Sequence, residues 1–273
     1  MERHNSMTKI AFTSDIHLEF GPMNLVNQDN ADILLLLGDI STPHYWNKNH
    51  NGSVRKMKGQ QIEFFNKVSE QFPRVFYIPG NHESYSGSYE LTEIILKTEL
   101  AHLKNITVNS HIFYEEEKFA LILNTLWTDF DNGNPISFIN ANMGMNDFRL
   151  ITKNDKTFKA EDAFNLHKKA LADIERDANK INNKTLIIGT HHLPSHASIS
   201  LGFRDSRLNG AYASSLEWLM EKYNPKYWLS GHSHVPVDMM IGNTRLLRKP
   251  RGYLHHENSL EKDAKYKYGL IEV

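Results

Sequence analysis

Asp15 with His17, Asp39, Asn81 with His82, His191 with His192, and His232 with His234 are residue types that hold divalent metals, set in short runs along the chain. In an Asp-x-His or His-x-His pair leaving a strand end, side chains separated by one residue point the same way, so both reach one centre. Asp15, His17, Asp39, Asn81, His191, His232 and His234 together exceed the donors of one tetrahedral site. They suit two divalent ions roughly 3.5 to 4 Å apart, with one carboxylate shared between them. Nitrogen and oxygen donors without sulfur fit manganese, placed first here, and also iron, zinc or nickel.

Such pairs act together only if the fold gathers them. Residues 33–37 are Ile-Leu-Leu-Leu-Leu, followed by Gly38 and Asp39. Consecutive aliphatic residues read as a strand buried on both faces, delivering one acid at its carboxyl end, where open α/β folds keep their chemistry. Other strands are read at 9–13 before Asp15, at 74–78 before Pro79-Gly80-Asn81-His82-Glu83, at 185–188 before His191 and at 227–229 before His232. Further strands are read at 106–108, 112–114, 119–126 and 269–273, with a hairpin at 239–247 around Gly242-Asn243. Apolar spacing predicts helices at 61–72, 91–103, 160–179 and 214–223.

Between them lie loops. Residues 41–58, with His44, Tyr45, Trp46 and His50, read as a lid or substrate wall, in which Tyr45 and Trp46 either stack on a base or pack the lid. Residues 127–156 have little periodicity and many Asn, Asp and Gly, so they read as an irregular excursion over the active face; 195–212 is another loop. The alternation of strand, polar loop and helix argues for a layered α/β domain with one polar face.

The chain has 273 residues, 40% hydrophobic and 23% charged, and no Pro/Gly/Ser-rich linker divides it. Residues 7–273 are read as one domain, with 1–6 set aside as an extension before Met7. Zero cysteines exclude disulfides, thiolate metal sites and thiol nucleophiles. A formal charge of −1 supplies no global basic field for a long nucleic acid. No stretch is apolar for long enough to span a bilayer. The polar Met1–Ser6 lacks the apolar region of a secretory signal, so a cytoplasmic protein with no membrane partner is expected. The oligomeric state stays open.

The ordered set Asp15-x-His17, Gly38-Asp39, Gly80-Asn81-His82-Glu83, Thr190-His191-His192 and Gly231-His232-x-His234 resembles the calcineurin-like metallophosphoesterases. The resemblance runs from about Ile10 to His234 and extends plausibly through Pro250-Arg251-Gly252-Tyr253. It implies an αββα arrangement, a two-sheet β-sandwich flanked by helices, with a dinuclear metal site at the carboxyl ends of the strands. Asp15, His17, Asp39 and His234 would hold one metal; Asp39, Asn81, His191 and His232 would hold the other. His82 would be the leaving-group acid, and Glu83 would orient it or support the metal site.

Water bound between two divalent cations has its pKa lowered towards neutrality and provides hydroxide for in-line attack on phosphorus. The resemblance therefore implies a phosphoesterase acting on a phosphodiester or phosphomonoester, with a small nucleotide or related phosphodiester foremost. The competing readings are a DNA nuclease of the double-strand-break-repair type and a catalytically silent metal-binding scaffold. Phosphoprotein phosphatases of this superfamily follow Gly-Asp with Asp-Arg-Gly, whereas here Ile40-Ser41-Thr42-Pro43 follows, so a protein substrate is disfavoured. If an arginine grips phosphate, Arg149, Arg204 and Arg207 lie in loops that could reach, against the alternative of solvated surface charges. His192 either contacts phosphate or sits behind the metals. Trp127-Thr128-Asp129 and Asn146-Asp147-Phe148-Arg149 resemble segments of a bacterial and phage-type branch and have no mechanism at this level. His255-His256 reads as a solvated loop pair.

Overall fold

A computed structural model describes residues 7–46, 52–255 and 263–273. The extension 1–6, His50 and His256 lie outside the described residues.

The strands, in chain order, are β1 Lys9–Thr13, β2 Ile33–Leu37, β3 Arg74–Ile78, β4 Gly87–Ser88, β5 Ile106–Val108, β6 His111–Glu115 and β7 Phe119–Asn124. They continue with β8 Ile151–Lys153, β9 Lys156–Thr157, β10 Thr185–Thr190, β11 Tyr227–Ser230, β12 Val237–Ile241, β13 Thr244–Arg248 and β14 Gly269–Glu272. One sheet runs β14-β1-β2-β3-β5 and a second runs β12-β13-β11-β10-β7-β6. In the first, β1, β2, β3 and β5 are parallel and β14 is antiparallel at the edge. In the second, β7, β10, β11 and β13 are parallel, with antiparallel β6 and β12 at the two edges.

β2 shows why a run of aliphatic residues was needed. Leu35 and Leu37 pack between the sheets with Phe76, Ile78, Leu121, Leu123 and Ile187. Leu34 and Leu36 face the other way, against Phe65 and Val68 of helix Gly52–Gln71, Phe72 just beyond it and Leu96 of helix Tyr89–Glu99. The period-two alternation of a strand puts both sets in apolar surroundings, so neither face tolerates a polar residue. On the second sheet, Ile122, Ile188, Trp228 and Leu246 turn outward onto Ile174 of helix Ala160–Ala178 and Leu219 of helix Glu217–Tyr223. Helices thus flank two packed sheets, which is the expected αββα order.

Three sequence expectations shift. Helix Gly52–Gln71 begins well before residue 61, so the C-terminal part of the stretch taken as a lid is helical. Trp46 is buried against Phe65 and its Nε1 donates to Gln61 Oε1 at 2.7 Å, which makes it core rather than substrate wall. The excursion after β7 is structured: it contains helix Pro135–Gly144, a short helical turn Asp147–Leu150 and strand β8, which pairs with β4 and β9 in a small sheet. Asn134 caps that helix by accepting from the Ile136 N–H, and Pro135 opens it. Its apolar stripe is hard to read in sequence because Ile136, Ile139 and Met143 face outward instead of marking a core. The excursion has a core of its own, with Trp127, Phe130, Phe148, Phe158 and Ala163.

Candidate metal centre

All the parallel strands that end in predicted ligands end on one side of the sandwich. Asp15 follows β1, Asp39 follows β2, Asn81 follows β3, His191 follows β10 and His232 follows β11. Backbone hydrogen bonds tie these loops to one another: Asp15 N–H donates to Gly38 O, His17 N–H to Asp39 O, and Gly231 N–H to His191 O. Asp15, His17, Asp39 and His232 all have φ between 50° and 64°, a left-handed backbone that costs a non-glycine residue free energy. The surrounding contacts hold that strain. Gly38, with φ of 82°, could not be otherwise, since a Cβ there would meet His191 Nδ1 at 2.3 Å.

The side chains form two adjoining groups that share Asp39. In one, His17 Nε2 lies 3.1 Å from His234 Nε2, and His234 Nε2 lies 3.6 Å from Asp15 Oδ1. In the other, Asn81 Oδ1 lies 3.0 Å from His191 Nε2 and 3.1 Å from His232 Nδ1. Asp39 faces both: Oδ2 is 3.9 Å from His17 Nε2, and Oδ1 is 3.4 Å from His191 Nε2. Burial opposes ionisation of Asp39, but His191, His82 and His17 hold its carboxyl well below the usual carboxylate range.

Donor chemistry tests whether cations fit. Glu19 Oε1 lies 3.0 Å from His17 Nδ1, so that nitrogen carries the proton and Nε2 offers its lone pair. His191 Nδ1 likewise donates to Leu37 O at 2.8 Å, which turns Nε2 to the centre; burial opposes its charge, but Asp39 lifts the imidazole to about 10, a proton that a cation would replace. Asn81 Nδ2 donates to Tyr85 Oη at 3.2 Å, turning Oδ1 towards the histidines. Asp15 is fully buried and neither of its carboxylate oxygens has a hydrogen-bond partner among the described residues. Ring nitrogens and a carboxylate without a hydrogen bond converging in a buried space call for positive charge. Two donors on one cation, each about 2.1 Å away, stand roughly 3.0 to 3.4 Å apart, close to the separations seen. Two cations fit, one on each side of Asp39.

His82 lies at the rim, its ring stacked on Tyr85 with centroids 4.1 Å apart and its Nε2 4.0 Å from Asp39 Oδ2. Its Nδ1 is 3.0 Å from the same Glu19 Oε1 that holds His17. Burial lowers the pKa of His82, but Asp39 and Glu19 outweigh it and lift the imidazole to about 9. A cation at Asp39 offsets the Asp39 share of that lift and leaves the share from Glu19.

Glu83 does something else. Its carboxylate accepts the backbone N–H groups of Asp39, Ile40, Ser41 and Gly80 and the hydroxyl of Tyr77, at 2.6 to 3.2 Å. It therefore pins the Asp39 loop to the end of β3, and has no contact with the His82 ring among the hydrogen bonds described. Glu19, which sequence reasoning passed over, holds His82. The motif Pro250-Arg251-Gly252-Tyr253 closes the site from the other flank. Arg251 and Gly252 donate backbone N–H groups to Ser14 O and Asp15 O, and the Arg251 guanidinium is buried on Ile16 O, Gly21 O, Pro22 O and Asp263. Tyr253 Oη stands 3.3 Å from His82 Nε2.

His192 sits behind the centre: it is buried, stacks on Trp127 at 5.1 Å, and its Nδ1 lies 3.1 Å from Thr125 O. Burial and His191 push its pKa down to about 3, so it is neutral. Arg149, Arg204 and Arg207 are exposed, and none lines the cavity beside the centre. That cavity, about 560 Å³, is bounded by Asp39, His82 and His232 at one end and by residues of 144–147 and 193–212 along its length. Tyr45 and Trp46 are not on its wall.

The sequence pattern of the calcineurin-like phosphoesterases matches residues 8–236. The chain belongs to the calcineurin-like phosphoesterase family. It is a hydrolase of phosphoric esters. A relative from Acanthamoeba polyphaga mimivirus, known as uncharacterized protein L509, is 28% identical over 93% of this chain and 94% of its own. Among solved structures, the phosphopantetheinyl hydrolase PptH from Mycobacterium tuberculosis superposes with a TM-score of 0.67 at 14% identity, covering 98% of this chain and 96% of that one. A dimetal phosphatase from Danio rerio gives 0.50 at 12% identity, over 97% and 92% of the two chains. These likenesses extend to the fold, and no helix among the described residues is long and apolar enough to cross a membrane.

Proposed function

We propose that this phosphoesterase hydrolyses a small phosphodiester, a nucleotide or related compound, in a single domain spanning residues 7–273, with manganese as the preferred metal and the cytoplasm as its compartment. The observation that carries the reading is the pairing of the two donor groups around Asp39 with His82 and a cavity next to them. Bound there, two divalent cations supply Lewis acidity to the phosphoryl oxygens and acidify water.

The chain does the rest. Asp39, with oxygens facing both donor groups, fixes the spacing between the two sites, and Glu83 fixes Asp39 through the backbone. As water adds to phosphorus and the ester P–O bond breaks, His82 Nε2 gives its proton to the departing oxygen; a positioned acid contributes typically about 10² to 10⁴ in rate. Glu19 holds Nδ1–H, so the ring presents Nε2 to the cavity. The cavity, about 560 Å³, accommodates a small organic substituent. A metal-supplemented screen across p-nitrophenyl phosphate, bis-p-nitrophenyl phosphate, cyclic nucleotides, dinucleotides and plasmid DNA tests the reading. Diester turnover exceeding that of the monoester and the plasmid is expected, with Mn²⁺ the strongest activator; rapid plasmid cleavage would overturn it.

A further inference from the structure

The cavity wall beside Tyr85 holds a buried acid to which the hydrolytic step above gives no role. Asp147 is 3% exposed and lines the cavity, yet its Oδ1 has no hydrogen-bond partner among the described residues. Its Oδ2 receives the Tyr85 hydroxyl at 3.5 Å, and Tyr85 Oη in turn receives Asn81 Nδ2 at 3.2 Å. The acid is thus fixed in relation to Asn81, one of the proposed metal donors, by two hydrogen bonds. A buried carboxylate oxygen with no donor costs free energy. The cost is offset if a ligand brings the donor.

The rest of the wall narrows what that ligand is. Met145, Leu193, Ile199, Phe203, Leu208 and Tyr212 make most of it apolar, and no lysine or arginine is among the described residues that line it. A second phosphate or a carboxylate beside Asp147 would meet its charge with no lysine or arginine on the wall to balance either. A neutral or cationic group with an N–H or O–H finds an acceptor at Oδ1 and apolar contact around it.

We infer that Asp147 is a specificity-determining residue of this phosphoesterase, selecting small phosphodiesters whose cavity-filling substituent is mainly apolar and carries an amide, amine or hydroxyl donor. The inference rests on the phosphodiesterase reading above and narrows its substrate class. It also assigns a role to Asn146-Asp147-Phe148-Arg149, a segment with no mechanism in the sequence: Phe148 packs into the core of the excursion and holds Asp147 towards the cavity.

The test uses the Mn²⁺-loaded full chain and p-nitrophenyl phosphodiesters that share one leaving group and differ in the second alcohol. The pairs are 2-aminoethyl against ethyl and 4-aminobutyl against butyl, with 2-carboxyethyl as the anionic probe. In the wild type, at least one amine ester should exceed its alkyl partner in kcat/KM by about tenfold or more, the scale of one hydrogen bond to a charged group. The carboxyethyl ester should be the poorest. Asp147→Asn should shrink the amine-to-alkyl ratio to about threefold or less. Because each ratio is taken within one protein, partial loss of folded enzyme cancels. Equal turnover within both pairs in the wild type, or a ratio that Asp147→Asn leaves unchanged, would overturn the role of Asp147 while the hydrolase reading stands. No turnover of any diester with any divalent ion would overturn the phosphodiesterase reading and this inference together.

Discussion

The two ends of the cavity are built by different means. At the metal end, every donor stands at the carboxyl end of a strand, and neighbouring loops lock it through backbone hydrogen bonds and a buried glutamate. At the far end, the wall comes from short helical turns and from the excursion after β7, which carries its own apolar core. The first end borrows rigidity from both sheets. The second stands on its own core and is tied to the first through the Tyr85 hydroxyl between Asn81 and Asp147. A rigid scaffold therefore sets the reaction, and an appended layer sets which substituent fits, a division that loops on rigid frameworks commonly show.

The sharpest way to break this division is Asp39→Asn. If Asp39 serves both metals, the variant loses metal from both sites by elemental analysis, and turnover of bis-p-nitrophenyl phosphate falls by about 10³ or more, the loss of several kcal/mol of charge stabilisation. Loss of one equivalent alone would confine Asp39 to one site. His82→Ala should retain both metals and lose about 10² to 10⁴ in kcat for esters with poor leaving groups, with a smaller loss for p-nitrophenyl esters. Equal losses for the two kinds of ester would remove the acid role.

Glu19→Gln should cost about tenfold in kcat/KM, since it weakens the hold on His82 without removing a donor. The sign of its pH effect is fixed. His82 acts while protonated, activity falls as pH rises through its pKa, and Glu19 raises that pKa. The alkaline limb of the rate profile should therefore move to lower pH in the variant; an unmoved limb would reduce Glu19 to packing. The smallest effect belongs to the exposed arginines. Arg204→Ala with Arg207→Ala should change kcat/KM for the diester less than about twofold, as expected of surface positions. A loss of tenfold or more would mean that the loop folds over bound substrate.

Residues near one another in sequence explain what was legible. Glu83 reads in sequence either as orienting its neighbour His82 or as supporting the metal site; the structure gives it to the backbone of Asp39, Ile40, Ser41 and Gly80, the second of the two. The partner of His82 is Glu19, 63 residues away. Likewise, Tyr45 and Trp46 read equally as stacking on a base or as packing the loop, and Trp46 takes the packed place, with Phe65 as apolar neighbour and Gln61 Oε1 accepting its N–H.

Sequence alone settled the parts whose physics is local. A strand that must be buried on both faces needs uninterrupted aliphatic residues, as at Ile33–Leu37, and donors at the ends of such strands reveal themselves by type and spacing. The tertiary structure decided what depends on groups meeting from afar. It set the left-handed backbone at Asp15, His17, Asp39 and His232, the carboxylate shared by His17 and His82, and the meeting of Asp147 with Tyr85 across 62 residues. No local pattern encodes these, because each is held by contacts that exist only once both sheets and the excursion have packed.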